Sequence, residues 1–523
     1  MQAARPGTHE AKSRGFGYGF VVVVYISKSV SRLRRAAGIA IVAACMAATL
    51  GAATPGHPAA VADTVISGPA RSLGEPAAAQ DSAVTAVVAT SFGSAGAQVR
   101  AWTKPARAAS WSAAGMILPA GFGSSYDASA AAVPGGPLLL VAGTAPGGQA
   151  CIAGGSVAIA NVYPGGRLGA VRLVSDQRGT GDFDDRPAVA VGSDGTVWVA
   201  WSQGPDADAC QNVGTGDRLE MAASHDGGRT FGAPVSMPAE GGDSAFGARL
   251  QPLAGGRVAV SWTETMSSGD EAVLVSVVSS AGQLAQPQQV LTGDQLPLAL
   301  PGASFYDFPA GDITALADGR LVVAAPFWRS DHGVIKLAVG TPGGRWRASV
   351  IAPPGGADLL LPALGPLSPT AVRLVCAVHA RVGDRLGYDW ADLSLDQAGH
   401  ATVAGSLAPL TSAPAGPGFF ELGEELSISR TPGGLLSSVV VAGQDGASLE
   451  TRSWAVPRPA AAPSARRSAA RAPGAPAVRA GATRSAASPA RTVAWAVAAI
   501  VVVACLALLI AWAARRPRRA RHG

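Results

Sequence analysis

The chain has 523 residues, of which 15% are charged, and its 66 glycines and 38 prolines make up about a fifth of it. Ordinary soluble domains carry about 25% charged residues, so this composition excludes a helix-rich cytosolic enzyme, a coiled coil and a disordered acidic protein. The net charge of +6 comes from the two ends, because residues 36–455 contain 22 basic and 34 acidic residues, a net charge of −12. A nucleic-acid-binding body is therefore excluded, since phosphate contacts need clustered Lys and Arg.

The N-terminal region has the layout of a secretory signal. Basic residues end at Arg35, an apolar run covers residues 36–53, and small residues lead to a cleavage site after Ala62. Positive, apolar and small-residue segments in this order are typical of a signal peptide. We therefore expect residues 1–62 to be an N-terminal extension with a signal peptide, followed by a linker over residues 63–81.

Three features of this region remain open. Ala53 is an alternative cleavage point, and translation starting near Val30 would give a signal peptide of ordinary length. The sequence before Cys45 resembles a bacterial lipidation signal, although the alternative is a cysteine that is lost with the cleaved segment.

The body, residues 82–455, contains short apolar runs bounded by turns, which is typical of an all-β protein. One class of turn opens onto an apolar strand and recurs in steps of 51 to 64 residues, at Gly136, Gly195, Gly256, Gly319, Thr370 and Gly434. A second class lies between them, at Gly166, Gly228, Gly282, Gly344 and Gly399. Two interleaved series with one period predict a repeated four-stranded unit with both hairpin turns on the same side.

Six turns of the first class predict a six-bladed β-propeller. In this interpretation the strand candidates Val84 to Thr90 and Val99 to Lys104 complete the last blade and close the ring. Seven blades remain an alternative, in which residues 84–119 form a degenerate blade.

The C-terminal region predicts a membrane anchor. Residues 456–491 are rich in Ala, Pro and Arg, without the apolar content to fold, and this composition indicates a disordered stalk. Residues 492–514 carry no charge and are long enough to span a bilayer as a helix. Residues 515–523 contain five arginines, which predicts a cytoplasmic tail and an extracellular body.

Residues 224–231, SHDGGRTF, match the Asp-box pattern of sialidase-like β-propellers, and the body resembles that superfamily in a membrane-anchored bacterial form. The resemblance implies a structural turn away from the ligand face. The residues that it assigns to this turn are Ser224, Asp226, Gly228, Thr230 and Phe231. Side-chain oxygens of Ser and Asp can bond the backbone of such a turn, and glycine tolerates its conformation.

The same resemblance implies where catalytic residues would lie. A sialidase needs three arginines that bind a carboxylate and a Tyr nucleophile activated by Glu, an exception to the usual carboxylate pair. Arg186 occupies the place of the first family arginine, although an apolar residue of the family motif is missing before Pro187. Tyr306 and Glu264 are candidates for the nucleophile and its activator. The alternative for Arg186 is an ion pair with a neighbouring aspartate.

Further candidates have weaker support. Arg329, Arg385 and Tyr388 are on the same predicted face, without motif support.

The acids Asp182, Asp184 and Asp185 could supply oxygen ligands to Ca²⁺, but they lack the spacing of a known calcium loop, and a solvated acidic loop is the alternative. We expect no other cofactor. Cys151 and Cys210 each follow the first turn glycine of their blades by 15 residues, which predicts a disulfide between neighbouring blades.

The sequence thus predicts a single-pass cell-surface propeller that acts as a non-catalytic binding module for a glycan or a protein. The alternative is a diverged exo-sialidase-like glycoside hydrolase. Because the body is acidic, a neutral or cationic ligand is favoured.

Overall fold

The computed structural model describes residues 60–68, 73–93, 96–147, 154–205, 217–237, 242–297, 311–383, 385–414, 426–443 and 446–456. In these ranges the chain forms 29 β-strands and one 3-10 turn, Pro354–Gly356. The prediction of an all-β body is confirmed.

Strands pair antiparallel in groups of about four that we call blades, numbered in chain order. The single pair Asp294↔Trp328 joins the sheets of two of these blades. The first strand, β1 (Val61–Gly68), belongs to the last blade. Blade 1 contains β2 (Leu73–Gln80), β3 (Val84–Gly93), β4 (Gly96–Pro105) and β5 (Ser112–Met116). Blade 2 contains β6 (Ser124–Ala132), β7 (Leu138–Ala145), β8 (Ser156–Val162) and β9 (Arg172–Leu173). Blade 3 contains β10 (Asp182–Val191), β11 (Val197–Pro205), β12 (Arg218–Ser224) and β13 (Val235–Met237). Blade 4 contains β14 (Gly242–Pro252), β15 (Val258–Met266), β16 (Asp270–Val278) and β17 (Gln288–Asp294).

Three further blades complete the described body. Blade 5 contains β18 (Asp312–Ala315), β19 (Leu321–Arg329), β20 (His332–Gly340) and β21 (Trp346–Ile351). Blade 6 contains β22 (Asp358–Ser368), β23 (Ala371–Ala380) and β24 (Arg385–Leu395), with β25 (Ala401–Val403) and β26 (Ala408–Pro414) sharing its outer edge. Blade 7 contains β27 (Ile428–Thr431), β28 (Gly434–Gly443), β29 (Gly446–Ala455) and, as its outer strand, β1.

The described residues therefore form seven blades, so the prediction of six was wrong and the seven-bladed alternative is confirmed. The blade that the six-bladed interpretation left out is blade 1. It contains, as β3 and β4, the two strand candidates that were assigned to the last blade, and its first hairpin turn contains no glycine. Asp81 makes this turn instead, because its Oδ1 accepts hydrogen bonds from the backbone N–H groups of Ala83 (2.6 Å) and Val84 (2.7 Å). A turn that an aspartate side chain stabilises needs no glycine, so it does not belong to the glycine-turn series.

The ring is closed by β1, which pairs with β29 from Val61↔Ser453 to Gly68↔Ala447. The sequence placed a linker at residues 63–81, where the structure has β2 and most of β1. Asp63 also accepts hydrogen bonds from Lys104 (2.7 Å) and Trp111 (3.1 Å) of blade 1. Cleavage after Ala62 would remove the first two residues of β1, whereas cleavage after Ala53 leaves the strand whole.

Small residues allow the innermost strands to converge. The inner strands of blades 1 and 2 contain the runs Ala77 to Ala79 and Ala130 to Ala132. Larger buried side chains, such as Trp198, Trp201 and Trp262, fill the wider space between adjacent blades farther from the axis. The up-and-down order of the strands gives the propeller two faces. The turn face carries both hairpin turns of each blade, and the mouth face carries the remaining connections.

Candidate functional site

The seven inner strands surround a central cavity of about 350 Å³. Each of the strands β2, β6, β10, β14, β18, β22 and β27 contributes lining residues. The lining is mostly alanine and small polar side chains, with Arg249, Asp312 and Arg430 as the charged groups among the described residues. We call this axial cavity the channel.

At the mouth end of the channel, five inner strands contain a β-bulge, and each bulge includes a residue with a left-handed backbone conformation. The bulges lie at Glu75 (φ 52°), Asp127 (φ 49°), Arg186 (φ 49°), Gly247 (φ 69°) and Leu361 (φ 43°). A left-handed conformation costs a residue other than glycine roughly 1–2 kcal/mol. Backbone strain of this kind collects at functional sites, where the side chain is needed in that position.

Three consecutive blades thus place an ionisable side chain at the mouth, namely Glu75, Asp127 and Arg186, each less than a tenth exposed. Arg186 was a sequence candidate, whereas Glu75 and Asp127 were missed. A signal was available, because the left-handed residue is followed by Pro-Ala in Glu75-Pro76-Ala77, Arg186-Pro187-Ala188 and Leu361-Pro362-Ala363. Proline inside a sheet is confined largely to edges and bulges, so a recurring Pro-Ala indicates the bulge.

The bulges also hold neighbouring blades together. Glu75 Oε2 accepts hydrogen bonds from Thr90 Oγ1 (2.7 Å) and from the backbone N–H of Asp127 (3.0 Å) in the next blade. Between blades 3 and 4, the backbone N–H of Gly247 donates to Ser202 Oγ (3.3 Å). In both cases the backbone of the bulge is fixed by a side chain of the preceding blade.

Asp184 is fully buried on the side of β10 that faces blade 2. Its carboxylate accepts hydrogen bonds from Ser175 Oγ, Gln177 Nε2 (3.3 Å) and Gln203 Nε2 (2.8 Å). Burial raises the pKa of this carboxyl group to about 6, and the three hydrogen bonds oppose that shift only in part. Asp184 thus joins blades 2 and 3 rather than lying open to a ligand.

Asp185 lies on the opposite side of the same strand, since alternate residues of a strand point to opposite faces. Its side chain is 7% exposed, and its Oδ1 has no hydrogen-bond partner among the described residues. Asp217 lies close by, at the start of β12. Burial raises the pKa of Asp217 to about 6, with Arg186 lowering it and the charge of Asp185 raising it.

A compact charged group therefore forms between blades 3 and 4 at the mouth, from Asp185, Arg186 and Asp217. The guanidinium of Arg186 lies 5.8 Å from the centre of the Phe246 ring. An unpaired buried carboxylate oxygen is costly unless a ligand, water or ion completes it. These residues form a candidate binding site at the mouth.

Glu264 belongs to the same interface. It is opposite Ala245 in the β14–β15 register, and the backbone N–H of Ala245 donates to the carbonyl oxygen of Asp217 (2.9 Å). Trp262 Nε1 donates to Glu264 Oε1 (3.0 Å), and the Glu264 side chain is 1% exposed. Tyr306, the residue that Glu264 was expected to activate, is outside the described residues.

The other candidates of the sialidase-like interpretation are not gathered at the mouth of the channel. Arg329 ends β19 in blade 5 and lines two outer pockets, and Arg385 begins β24 and pairs with Pro414 near the edge of blade 6. Tyr388 is buried in the core between blades 6 and 7, and burial raises the pKa of its phenol. Among the described arginines, Arg186 alone occupies a bulge at the mouth.

The candidate calcium ligands Asp182, Asp184 and Asp185 do not converge. Strand alternation turns Asp185 away from Asp184, and Asp184 is occupied by blade 2. Within the ranges that the structure describes, no group of three or more His, Cys, Asp or Glu side chains is arranged to hold a metal ion.

A second buried carboxylate on the mouth face shows the opposite behaviour. Asp358, at the start of β22, accepts hydrogen bonds from His379 Nδ1 (3.1 Å), Arg381 Nε (2.9 Å) and the backbone N–H of Gly333 (2.9 Å). Burial opposes its ionisation, but His379 and Arg381 outweigh burial and lower the pKa of Asp358 to about 2. Because this carboxylate is fully bonded, it fastens blade 6 to the β19–β20 turn.

The Asp-box lies on the turn face of blade 3. Asp226 Oδ1 accepts hydrogen bonds from the backbone N–H groups of Arg229 and Thr230, both at 2.9 Å, and Asp226 Oδ2 accepts one from Thr230 Oγ1 (2.6 Å). Ser224 Oγ accepts the N–H of Gly228 (2.9 Å), whose φ is 81°. The Thr230 and Ser224 bonds lower the pKa of Asp226.

Phe231 packs in the cluster between blades 2 and 3. The Asp-box is thus a structural turn of blade 3 that also contacts blade 2, far from the mouth.

Both cysteines of the predicted disulfide, Cys151 and Cys210, are outside the described residues, and the pairing stays a prediction. Cys376 is a buried free thiol whose pKa is raised by burial. In the described ranges no helix is long and apolar enough to cross a membrane. The expected signal, stalk, anchor and tail are not among those ranges.

Comparison with known proteins identifies no family. No family model matches the chain, and no curated protein matches it.

Among solved structures, the chain is similar to a polysaccharide lyase, an ulvan lyase bound to a -[GlcA(1-4)Rha3S]- saccharide, with 13% identity, a TM-score of 0.46 and coverage of 75% of this chain and 97% of that one. It is also similar to a point mutant of the NanB sialidase from Streptococcus pneumoniae, with 12% identity, a TM-score of 0.42 and coverage of 61% and 67%. A third is the alpha-L-arabinanase of Penicillium chrysogenum complexed with arabinobiose, with 10% identity, a TM-score of 0.40 and coverage of 76% and 99%. These neighbours are glycan-acting enzymes, and the propeller itself is established by the strand order of this chain.

Proposed function

We propose that this protein is a membrane-anchored, extracellular β-propeller that binds a glycan or a protein at the mouth of its channel without catalysing a reaction. The binding site is formed between blades 3 and 4 by Asp185, Arg186 and Asp217. The observation that carries the proposal is the buried Asp185 Oδ1, which has no hydrogen-bond partner among the described residues. A hydroxyl, amide or ammonium donor of a ligand would complete it.

The strained backbone at this place supports the proposal. Arg186 keeps a left-handed conformation that glycine would adopt at no cost, and so do Glu75 and Asp127 in the preceding blades. At Arg186 the chain keeps a charged side chain where the backbone favours glycine, and strain of this kind collects at functional sites.

The charge of the site favours a neutral or cationic ligand. Two carboxylates surround one guanidinium, and residues 36–455 have an excess of 12 acidic residues. An anionic sugar would need a surplus of positive groups at the mouth. Among the described residues, the two further arginine candidates lie elsewhere on the propeller.

A binding screen with matched variants tests the proposal. The full chain is applied to an array of neutral, amino-sugar and sialylated glycans and to a peptide library, and the affinity of each hit is measured by calorimetry. We expect Asp185→Asn and Arg186→Ala to weaken binding by about tenfold or more, the loss of one buried hydrogen bond to a charged group. Asp396→Asn, on the turn face, is the control and should bind like the wild type. Binding that survives both mouth substitutions would place the ligand elsewhere.

The second candidate function is sialidase-like hydrolysis, favoured by the pKa of Asp217 near 6 beside Arg186. A carboxyl group with a raised pKa can act as a general acid at neutral pH. Turnover of a fluorogenic sialoside that is abolished by Arg186→Ala would establish this function and exclude the binding module. The absence of turnover, together with ligand binding at the mouth, would exclude the hydrolase.

A further inference from the structure

The turn face carries a ring of exposed arginines. One arginine lies at or beside a hairpin turn in each of six blades: Arg107, Arg167, Arg229, Arg257, Arg345 and Arg430. All six are exposed. Blade 6 has the exposed His400 in the equivalent turn.

These guanidinium groups are not neutralised by neighbours. Within the described part of the chain none of the six makes an ion pair with a carboxylate. Three exposed aspartates of the turn-face hairpins are held by other groups. Asp226 is bonded within the Asp-box, Asp318 pairs with Arg320 (2.8 Å), and Asp194 accepts the N–H of Thr196 (3.1 Å).

This ring contrasts with the charge of the rest of the body. Residues 36–455 have a net charge of −12, yet the exposed arginines of the turn face outnumber its exposed aspartates. Exposed aromatic surface lies beside one of these arginines, because the Tyr163 ring is 37% exposed and the Arg167 guanidinium lies 5.0 Å from its centre. Arginine binds phosphate oxygens in a bidentate manner, and tyrosine is enriched at membrane interfaces.

The direction of two strands places both ends of the described body at this face. β29 runs from the mouth face to Ala455 on the turn face, and the antiparallel β1 begins there at Val61. Beyond Val456 the sequence continues for 67 residues, which include seven arginines in residues 457–491 and the uncharged stretch 492–514.

We propose that the turn face is a docking surface for an anionic lipid membrane, with the six arginines bound to lipid phosphate groups. Each basic residue near an anionic bilayer contributes about 1 kcal/mol, and the contribution falls with ionic strength. Docking through the turn face leaves the mouth of the channel open to the exterior. The inference is independent of which ligand binds at the mouth, and it uses the predicted anchor only to bring the face near the bilayer.

Hydrogen exchange on the full chain in lipid nanodiscs tests the proposal. One preparation contains phosphatidylcholine alone, and the other contains about one third phosphatidylglycerol. We expect amides of the turn-face hairpins, such as those around Arg167 and Arg257, to exchange about tenfold more slowly in the anionic nanodiscs. Amides of the β19–β20 turn on the mouth face should be unchanged.

A quadruple variant with Arg107→Gln, Arg167→Gln, Arg257→Gln and Arg345→Gln should lose the difference between the two lipids, and so should the wild type in 1 M salt, where the Debye length is about 3 Å. The control is Arg329→Gln with Arg385→Gln, on the mouth face, which should keep the difference. Near-equal melting temperatures of the variants would show that both fold.

Equal exchange of the turn face in both lipids overturns the proposal, and so does protection of the mouth face instead. The proposal is also overturned if the quadruple variant shows the same difference in turn-face exchange between the two lipids as the wild type. Failure of the anchor is a separate outcome, seen when the full chain does not float with phosphatidylcholine vesicles. In that case co-flotation with phosphatidylglycerol vesicles by the wild type, but not by the quadruple variant, supports the proposal, and co-flotation by neither overturns it.

Discussion

The turn face and the mouth face use the left-handed backbone conformation in different ways. On the turn face it is adopted by glycines such as Gly228 (φ 81°) and Gly319 (φ 88°). Of the described residues, every non-glycine residue with a positive φ is on the mouth face, namely Glu75, Asp127, Arg186, Ser330, Asp331 and Leu361. On the turn face the left-handed positions are thus filled by glycine, which adopts them without strain. On the mouth face some of these positions keep a side chain, at a cost in backbone strain.

Asp226 on the turn face and Asp185 at the mouth also differ in how their carboxylates are satisfied. Asp226 on the turn face accepts four hydrogen bonds from its own turn, whereas Asp185 at the mouth leaves a buried oxygen without a partner in the described structure. A carboxylate whose oxygens accept hydrogen bonds from its own turn stabilises the fold. A buried carboxylate oxygen without such a bond can accept one from a ligand. In blade 3, the turn-face carboxylate Asp226 thus stabilises its own turn, whereas the mouth carboxylate Asp185 belongs to the proposed binding site.

The largest effect is expected from opening the ring, on which both faces depend. Deleting β1, residues 61–68, removes a full ladder on β29 and the contacts of Asp63 with blade 1. At about 1 kcal/mol for each lost hydrogen bond, the free energy of unfolding should fall by several kcal/mol. Calorimetry of the full chain measures this, with deletion of residues 476–483 as the control. An unchanged melting temperature would mean that β1 does not close the ring.

The next effect is a difference in pH dependence between the faces. Burial gives Asp184 a pKa of about 6 in the folded protein, above its ordinary value of 3.8, so stability from this group is lost as pH rises from about 4 to about 6. The loss is on the order of 3 kcal/mol. Asp184→Asn should therefore gain stability relative to the wild type as pH rises through that window.

Asp226 should behave in the opposite way, because hydrogen bonds from Thr230 lower its pKa. Its stabilisation is present above about pH 4 and is lost as pH falls through the lowered pKa. Asp226→Asn should be less stable than the wild type at about pH 6 and approach it in acid. Chemical unfolding of both variants from about pH 3 to pH 7 measures the trends, and parallel trends for the two faces would contradict this part of the comparison.

A smaller effect isolates the backbone strain. At Arg186 the glycine variant should be more stable than the alanine variant by about 1 kcal/mol, because glycine adopts a positive φ freely. At Gly228, where the wild-type residue is already glycine, the alanine variant should be less stable than the wild type by about 1–2 kcal/mol. Both comparisons use chemical unfolding at one pH. Equal stability of Arg186→Gly and Arg186→Ala would remove the argument that the mouth is strained.

The smallest effect concerns ligand affinity. Since the pKa of Asp217 is about 6, its charge develops between about pH 5 and pH 7. The affinity for a cationic ligand should rise by a few fold over this interval. In the Asp217→Asn variant the affinity should not change with pH over the same interval. Titration calorimetry with the best cationic hit from the screen measures the slope. An affinity that falls with rising pH would point to a ligand bound by protonated groups.

Particular residues show where sequence reasoning succeeded. The alternation of glycine turns with apolar runs predicted the antiparallel four-stranded repeat, and the pattern around Ser224 placed the Asp-box turn on the side where it is found. Both signals are local, because each turn is made by residues within a few positions of one another.

Sequence reasoning offered the first blade only as an alternative and misassigned the closing strand. Asp81 substitutes for glycine in the first turn of blade 1, and β1 pairs with residues almost four hundred positions away. It also missed Glu75 and Asp127, whose positions depend on bulges that recur in neighbouring blades. A pairing between distant strands leaves no periodic trace in either strand.

The sequence by itself determined the all-β class, the repeat, the acidic body between basic ends, and the residues of the turn that fixes blade 3. These properties follow from composition and from contacts within a few residues. The tertiary structure alone decided the number of blades, the strand that closes the ring, and the meeting of Asp185, Arg186 and Asp217 at the mouth. It also gathered scattered arginines from six blades on one face. Convergence of this kind requires the closed ring, because only the ring brings equivalent positions of separate repeats to the same end of one axis.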